Sequence, residues 1–173
     1  MITVTPVRTA RDAAHFEAMA WEFVDWLRER YPDCNDVIDD YLERQRFRET
    51  MGDVLAHYVP PDGECLLALL DGDPVGILML KVYQPGICEM NRMYVRDVAR
   101  GKGIGRALIA ALIDRAAEMG FQTMILGALP RHYEALPLYR SMGFVEYPAS
   151  GAEEAEGAIM MRRDLVDGPA ADA

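Results

Sequence analysis

The chain has 173 residues, of which 51% are hydrophobic and 27% charged, and its formal net charge is -10. This length suits one domain whose core needs no disulfide or metal, and no stretch reaches the ~18 uninterrupted apolar residues of a membrane span. An acidic chain also lacks the basic surface that nucleic acid requires. We therefore expect a single domain over residues 1–166, with a disordered tail at 167–173, that binds neither membrane nor nucleic acid.

Cysteine usage and the first residues bear on the cellular compartment. Cys34, Cys65 and Cys88 are odd in number, have no CxxC spacing and are accompanied by only three histidines, so neither a disulfide framework nor a metal site is expected. Residues 1–8 lack the basic start, apolar run and cleavage site of a secretory signal. These features predict a cytoplasmic protein without a metal.

The N-terminal third predicts one strand and two helices. The first residues alternate as a strand, and a helix then begins with Thr9 and Asp12 as a capping pair and ends at Tyr31-Pro32. A second helix is expected from Asn35, as its cap, to about Leu55. Its apolar periodicity is poorer, so a break within it is left open.

The middle of the chain predicts three strands and a helix. Apolar runs at residues 64–70, 75–82 and 87–95 are separated by turn sequences rich in glycine and proline, which is typical of an antiparallel meander. From Gly103 the apolar residues recur at helical spacing until Gly120.

The C-terminal third predicts a strand at residues 122–126, a short helix at about 133–142 with Pro137 in its first turn, and a last strand pair at 144–147 and 158–163. The order is β-α-α-β-β-β-α-β-α-β-β. A meander that feeds a right-handed crossover helix predicts an α/β fold with a mixed sheet and helices on both faces.

The segment from Met93 to Leu108 is the most informative one. It reads as strand, loop, glycine-rich turn and helix, with Gly101, Gly103 and Gly105 at alternate positions, so that successive N–H groups and a helix N-terminus can face one anion. The spacing fits neither a P-loop nor a dinucleotide fingerprint. The basic residues gather here, with Asp97 as the one acid among them: Arg92, Arg96, Arg100, Lys102 and Arg106.

Arg100-Gly101-Lys102-Gly103-Ile104-Gly105 resembles motif A of the GNAT superfamily of N-acetyltransferases, whose signature is Gln/Arg-x-x-Gly-x-Gly/Ala. Residues 92–95 look like the fourth strand of that family, and 135–144 look like its motif B. The order of elements also agrees, so the resemblance covers nearly the whole chain. It implies a GNAT-like acyltransferase fold and an N-acetyltransferase that moves an acetyl group from acetyl-CoA directly to a primary amine.

The resemblance also implies which residues bind acetyl-CoA. Backbone amides from Gly101 to Arg106 would hold the pyrophosphate, and the main chain of Met93 to Val95 would pair with the pantetheine arm. Arg100 and Lys102 would add charge unless they are simply solvated loop cations. The implied set is Met93, Tyr94, Val95, Arg100, Gly101, Lys102, Gly103, Ile104, Gly105 and Arg106.

Two residues are candidates for the chemistry. Glu89 interrupts an apolar strand at a spacing where some family members carry a catalytic glutamate, although it could instead face solvent or pair with Arg92 or Lys81. Tyr139 matches the motif-B tyrosine credited with protonating the departing thiolate. His132 stands near the position where relatives often have asparagine, and its role is left open.

The acceptor can be inferred only from the residue types near its expected site. The first two helices and the last loop supply acidic and aromatic residues that would suit a cationic amine. Two alternatives remain: a non-catalytic acyl-CoA sensor and an interaction domain. Many members of the family dimerise, so a homodimer stays open by analogy. The residues behind the acceptor hypothesis are Trp21, Trp26, Tyr31, Asp33, Asp36, Asp39, Asp40 and the acidic loop Glu153–Glu156.

Overall fold

A seven-stranded mixed sheet organises the computed structural model, which describes residues 1–149 and 157–165. The predicted tail and the acidic loop with Glu153, Glu154 and Glu156 lie outside those residues. The strands are β1 Ile2–Pro6, β2 Gly63–Leu70, β3 Asp73–Gln84, β4 Ile87–Val95, β5 Thr123–Ala128, β6 Val145–Tyr147 and β7 Ile159–Asp164. The helices are α1 Ala10–Arg30, α2 Asn35–Arg44, α3 Phe47–Gly52, α4 Val54–His57, α5 Ile104–Glu118 and α6 Ala135–Ser141, with a 3-10 turn at Asp97–Ala99.

The strand order in the sheet is β1-β2-β3-β4-β5-β7-β6. Helix α5 makes the crossover between β4 and β5, which pair in parallel, and the other strand pairs in the described residues are antiparallel. Leu108 and Leu112 of α5 pack in the core on one face, whereas Phe16 of α1 and Phe47 of α3 pack on the other. The predicted mixed sheet with helices on both faces is therefore confirmed.

The helical region before β2 differs from its prediction. Thr9 and Asp12 form the predicted capping box of α1. The second helix, however, is three short helices, because Arg46 adopts a left-handed backbone with φ 47° and Asp53 leaves helical geometry to cap α4. Asn35 does not cap α2, because it is the first residue of the helix and Cys34 occupies the cap position; the Asn35 side-chain oxygen accepts a hydrogen bond from Arg28.

Strand β4 contains the irregularity that shapes the site. Met79 of β3 pairs with Asn91 and Ile77 pairs with Tyr94, so β4 has an extra residue in this stretch. Such a bulge changes which face a side chain occupies. Arg92 has φ 56°, and its guanidinium carbon lies 4.9 Å from the Phe47 ring centroid, on the α1 side of the sheet. Strict alternation from Glu89 would have placed it on the α5 side.

A buried carboxylate on β2 links α5 to the segment that follows β1. Glu64 of β2 is fully buried and accepts two hydrogen bonds of 2.7 Å from Arg8 and two of 3.0 and 2.8 Å from Arg115 of α5. Burial by itself raises the pKa of Glu64, but the hydrogen bonds from both arginines outweigh it and leave the pKa below its usual value.

Candidate active site

The glycine-rich turn forms the N-terminal end of α5. Gly101 and Gly103 have φ of 74° and 85°, a backbone region that disfavours other residues, and no heavy atom lies within 4 Å of a Cβ built on either. Gly103 is the N-cap of α5, and no side chain caps the helix. The first amide groups of α5 are thus left without helical acceptors, which makes an anion-binding site.

A groove of about 460 Å³, the glycine-turn groove, runs from this turn along β4. Every predicted cofactor-binding residue except Lys102 lines this groove, and contact with coenzyme A stays a prediction for the whole set. Trp26, His132 and α6 form the opposite wall. The lining residues are Trp26, Met93, Tyr94, Val95, Ala99, Arg100, Gly101, Gly103, Ile104, Gly105, Arg106, His132, Glu134, Ala135 and Leu138.

The edge of β4 is open where it meets the groove. β4 and β5 pair only from Ile87 to Glu89, and β5 continues alongside β7. Beyond Glu89, β4 has no strand partner on this edge among the described residues, and the Val95 carbonyl accepts a hydrogen bond from Arg100 Nε at 3.0 Å. An extended chain with amide groups can pair with such an edge as an added strand. An open strand edge that leads to a helix N-terminus fits the pantetheine and pyrophosphate parts of coenzyme A.

Only part of the basic segment faces the groove. Arg100 and Arg106 line it, and Arg106 also donates to the Ser141 hydroxyl at 2.9 Å. Arg96 instead forms a bidentate ion pair with Glu22 of α1 at 3.0 and 2.6 Å. The basic residues that lie close together in the sequence are therefore divided between the groove and structural ion pairs.

A second pocket of about 490 Å³, the inner pocket, adjoins the groove, and Met93 and His132 line both. It contains both catalytic candidates, since Glu89 of β4 and Tyr139 of α6 line it. Its remaining wall comes mainly from α1, α2 and β5: Phe23, Leu27, Val37, Ile38, Tyr41, Arg44, Gln45, Met90, Asn91, Arg92, Leu126, Gly127, Ala128, Leu129 and Met160.

Tyr139 lies deep between α6 and the sheet. It is only 6% exposed, and its ring packs edge-on against Phe144 at 6.1 Å. Burial raises the pKa of its hydroxyl above the ordinary value of a tyrosine. Tyr139 therefore stays protonated at neutral pH and can act as a hydrogen-bond donor in the inner pocket.

His132 stands where the two cavities meet. Its Nδ1 is 2.7 Å from the Tyr31 hydroxyl, and its ring packs edge-on against Trp26 at 5.0 Å. Burial lowers the pKa of His132 to about 4 and raises the pKa of Tyr31 to about 12. Both groups are neutral at pH 7, so His132 can make hydrogen bonds to a ligand but brings no charge.

The sequence analysis did not predict that Arg92 lines the inner pocket. Arg92 was grouped with the basic segment near the glycine turn, but the β4 bulge places it in the wall of the inner pocket, with 3% of its surface exposed. Its position after a catalytic candidate on the same strand was the one signal available. A bulge has no sequence mark that would have predicted its direction.

The acidic residues proposed to attract a cationic amine do not line the inner pocket. Asp33, Asp36, Asp39 and Asp40 are exposed on the outer surface. Asp33 forms a bidentate ion pair with Arg131, at 2.5 and 2.8 Å. The aromatic candidates are divided, because Trp26 lines the groove and Trp21 packs edge-on against Phe47.

No cluster of three or more metal-ligating side chains occurs within residues 1–149 and 157–165. In the same part of the chain, none of the helices has the length and apolar character needed to cross a bilayer.

A strand edge that leads to an uncapped helix N-terminus indicates a class of protein: an acyltransferase that uses an acyl-coenzyme A. Comparison with known proteins narrows this class to a family. The model of the acetyltransferase (GNAT) family matches residues 18–144, and the chain belongs to that family. The predicted recognition and the predicted acyltransferase activity are thereby confirmed.

Relatives and solved structures agree with this assignment. An uncharacterised N-acetyltransferase of Schizosaccharomyces pombe is 30% identical over 65% of this chain and 74% of its own length. Human N-acetylaspartate synthetase is 34% identical over 70% of this chain, which spans 40% of the human protein. The structure of PaiA N-acetyltransferase from Thermoplasma acidophilum in complex with coenzyme A has a TM-score of 0.73 at 17% identity, covering 95% of this chain and 99% of that one.

Proposed function

We propose that the protein transfers the acetyl group of acetyl-CoA directly to a primary amine. One observation carries the proposal: the groove at the glycine turn adjoins a pocket that is lined by both Glu89 and Tyr139, and the two cavities share Met93 and His132. Acetyl-CoA would occupy the groove and the amine would enter the inner pocket. The names of the relatives, which include N-acetylaspartate synthetase, support an acceptor that carries an amino group.

The groove has a separate part for each segment of acetyl-CoA. The amide groups at Gly101 to Arg106 would bind the pyrophosphate, with Arg100 and Lys102 adding charge from their side chains. The main chain of Met93 to Val95 would pair with the pantetheine arm, which leads toward Met93 and His132, where groove and pocket meet.

Glu89 is the proposed base. An alkyl amine with a pKa near ~10.4 is almost wholly protonated at pH 7, so a proton must leave before the nitrogen can attack the thioester. Glu89 lies at the last residue of β4 that pairs with β5, and its side chain lines the inner pocket. Its carboxylate would accept the amine proton directly or through one water.

Tyr139 is the proposed donor to the departing sulfur. Direct transfer forms the amide N–C bond, breaks the C–S bond and leaves a thiolate that takes up one proton. An ordinary phenol near ~10 would protonate a thiolate of pKa ~8.5 at an uphill cost of about 2 kcal/mol, and burial raises the pKa of Tyr139 further. Hydrogen-bond stabilisation of the developing thiolate is therefore the stronger form of this role.

Thermal unfolding with and without acetyl-CoA, with adenosine and NAD as controls, tests the cofactor part of the proposal. At ~100 times its dissociation constant, acetyl-CoA adds about 2.7 kcal/mol, which raises the unfolding midpoint of a domain of this size by roughly 5 to 11 °C. No shift and no other binding signal at saturation would overturn it.

Thiol release over a panel of amines then tests the transfer. We expect release only when an amine is present, and we expect Glu89→Gln to lower kcat/KM more at pH 7 than at pH 9, where more of the amine is already deprotonated. Binding of acetyl-CoA without thiol release would favour a non-catalytic sensor. The cytoplasmic location and the homodimer stay predictions.

A further inference from the structure

The wall of the inner pocket contains a buried cation whose hydrogen-bond donors are not used. Only 3% of the surface of Arg92 is exposed, and its Nη1 donates a hydrogen bond to the Met79 sulfur at 2.9 Å. Nε and Nη2 have no hydrogen-bond partner within the described ranges. Because buried polar groups are nearly always paired, two unpaired nitrogens on one guanidinium point to a partner that the described protein residues do not supply.

The charge of Arg92 is also uncompensated in this part of the chain. Its guanidinium makes no ion pair within 4.0 Å of a carboxylate among residues 1–149 and 157–165, including Glu89 on the same strand. Tyr41 and Cys65 interact with it electrostatically, but burial raises the pKa of both, to about 12 for Cys65, so both are neutral at pH 7. An anion is therefore the complementary ligand.

The backbone at Arg92 is held in a costly conformation that directs this side chain. A non-glycine residue with φ 56° inside a strand is strained, and such strain is kept where the surrounding structure uses it. The bulge there places the guanidinium against Phe47, on the face where Glu89 also lines the pocket.

We propose that Arg92 binds a carboxylate of the acceptor, so that the acceptor is a small amino acid and not a simple amine; this rests on the proposed function. Nε and Nη2 lie on one side of the guanidinium and point their N–H groups in parallel, which matches the two oxygens of one carboxylate. The two free donors and the uncompensated charge are then satisfied by one group.

The inner pocket has opposite charges at two positions that an amino acid can join. Glu89 and Arg92 are three residues apart on β4, which is about 10 Å of regular strand, and both line the inner pocket. The amino group would face Glu89 and the groove, while the carboxylate reaches Arg92. Phe23 and Leu27 supply an apolar wall beside them.

Matched acceptors test this inference. Thiol release from acetyl-CoA is measured with L-aspartate, L-glutamate, L-phenylalanine and L-leucine, and with the decarboxylated or amidated counterpart of each. For the best acceptor, we expect loss of the carboxylate to lower kcat/KM by roughly 30-fold or more, mainly through KM.

Variants assign that selectivity to Arg92. In Arg92→Met the ratio between an amino acid and its counterpart should fall to within about threefold, and Arg92→Lys should restore part of it. Arg48→Met is the control, because Arg48 is an exposed cation on the Trp21 ring that lines neither cavity. It should keep the wild-type ratio. A loss in Arg92→Met that is equal for both members of a pair would overturn the inference.

The outcomes separate this inference from the proposed function. Transfer that favours amines without a carboxylate overturns the inference and leaves the proposed function intact. Transfer to no amine at all overturns the proposed function. In that case, calorimetric titration with N-acetyl-L-aspartate and N-acetyl-L-phenylalanine decides the inference: binding by the wild type that Arg92→Met loses supports it, and no difference between the two proteins overturns it.

Discussion

Replacing Arg92 with methionine should make the unliganded protein more stable. Arg92 leaves two buried donors of a charged group unpaired, which costs about 1–3 kcal/mol or more, and methionine has none. The change loses a cation–π contact with Phe47 worth up to ~2 kcal/mol, but a methionine sulfur beside an aromatic ring returns ~0.3–1.5 kcal/mol. The left-handed backbone strain stays the same, because both residues carry a Cβ.

With about 2 kcal/mol gained from the donors, about 2 lost with the cation–π contact and about 1 returned by the sulfur, the net gain is about 1 kcal/mol, which corresponds to a rise of roughly 2 to 4 °C in the unfolding midpoint of a domain of this size. Differential scanning calorimetry at pH 7 without ligand measures it. Arg48→Met makes the same substitution at a cation–π contact of the same length, 4.9 Å, but Arg48 is exposed. Its loss of ~0.5–1 kcal/mol should lower the midpoint.

The sign of the shift is what tests the reasoning. A residue kept for structure destabilises the protein when it is removed, whereas a residue kept for a ligand can stabilise it. If Arg92→Met lowered the midpoint as much as Arg48→Met does, the guanidinium would be paired in the unliganded protein. The argument that its free donors await a carboxylate would then be refuted.

Three further predictions concern other groups. Tyr139→Phe should lower kcat by about 10²-fold or more while the dissociation constant for acetyl-CoA changes little, as measured by steady-state kinetics and titration; unchanged turnover would remove Tyr139 from the mechanism. Because the pKa of His132 is lowered to about 4, its neutral form stabilises the fold above about pH 6.5, and this contribution, at most about 3 kcal/mol, is lost as pH falls toward 4. Urea unfolding across this range should show a shallower pH dependence in His132→Asn than in wild type or in His57→Asn, and equal slopes would contradict the lowered pKa. Glu64→Gln should lower the free energy of unfolding, measured with urea at pH 7, by about 3 kcal/mol. This is the lower end of the usual cost of breaking a buried ion pair, because Arg8 and Arg115 still reach solvent. A change under 1 kcal/mol would show that the ion-paired group of Arg8, Glu64 and Arg115 does not stabilise the protein.

The glycine-turn groove was predictable from sequence because it is built from neighbouring residues. Three glycines at alternate positions and a helix that follows them fix the direction of consecutive amide groups, and neighbouring residues of β4 complete the groove. The pairing of Thr9 with Asp12 was predictable for the same reason, since a capping box lies within four residues. Patterns of this kind depend little on the rest of the fold.

The inner pocket was only partly predictable, because distant elements meet there. Glu89 and Tyr139 were identified singly through the family resemblance, and the structure places them in one cavity. The acidic residues around α2 were assigned to the acceptor from composition, yet α2 turns them to the surface. The left-handed residue Arg46, which divides the predicted second helix, has no signal in residue type.

Two irregularities of β4 together account for the site. The strand stops pairing with β5 after Glu89, where its edge meets the groove, and it bulges near Arg92, which lies in the wall of the inner pocket. Met93, one residue beyond Arg92, lines both cavities. In the proposed function, an acetyl group in the groove and an amine in the inner pocket would meet near Met93. The separation from β5 and the bulge against β3 are distinct irregularities of one strand, so the edge beside the groove and the position of Arg92 both depend on β4.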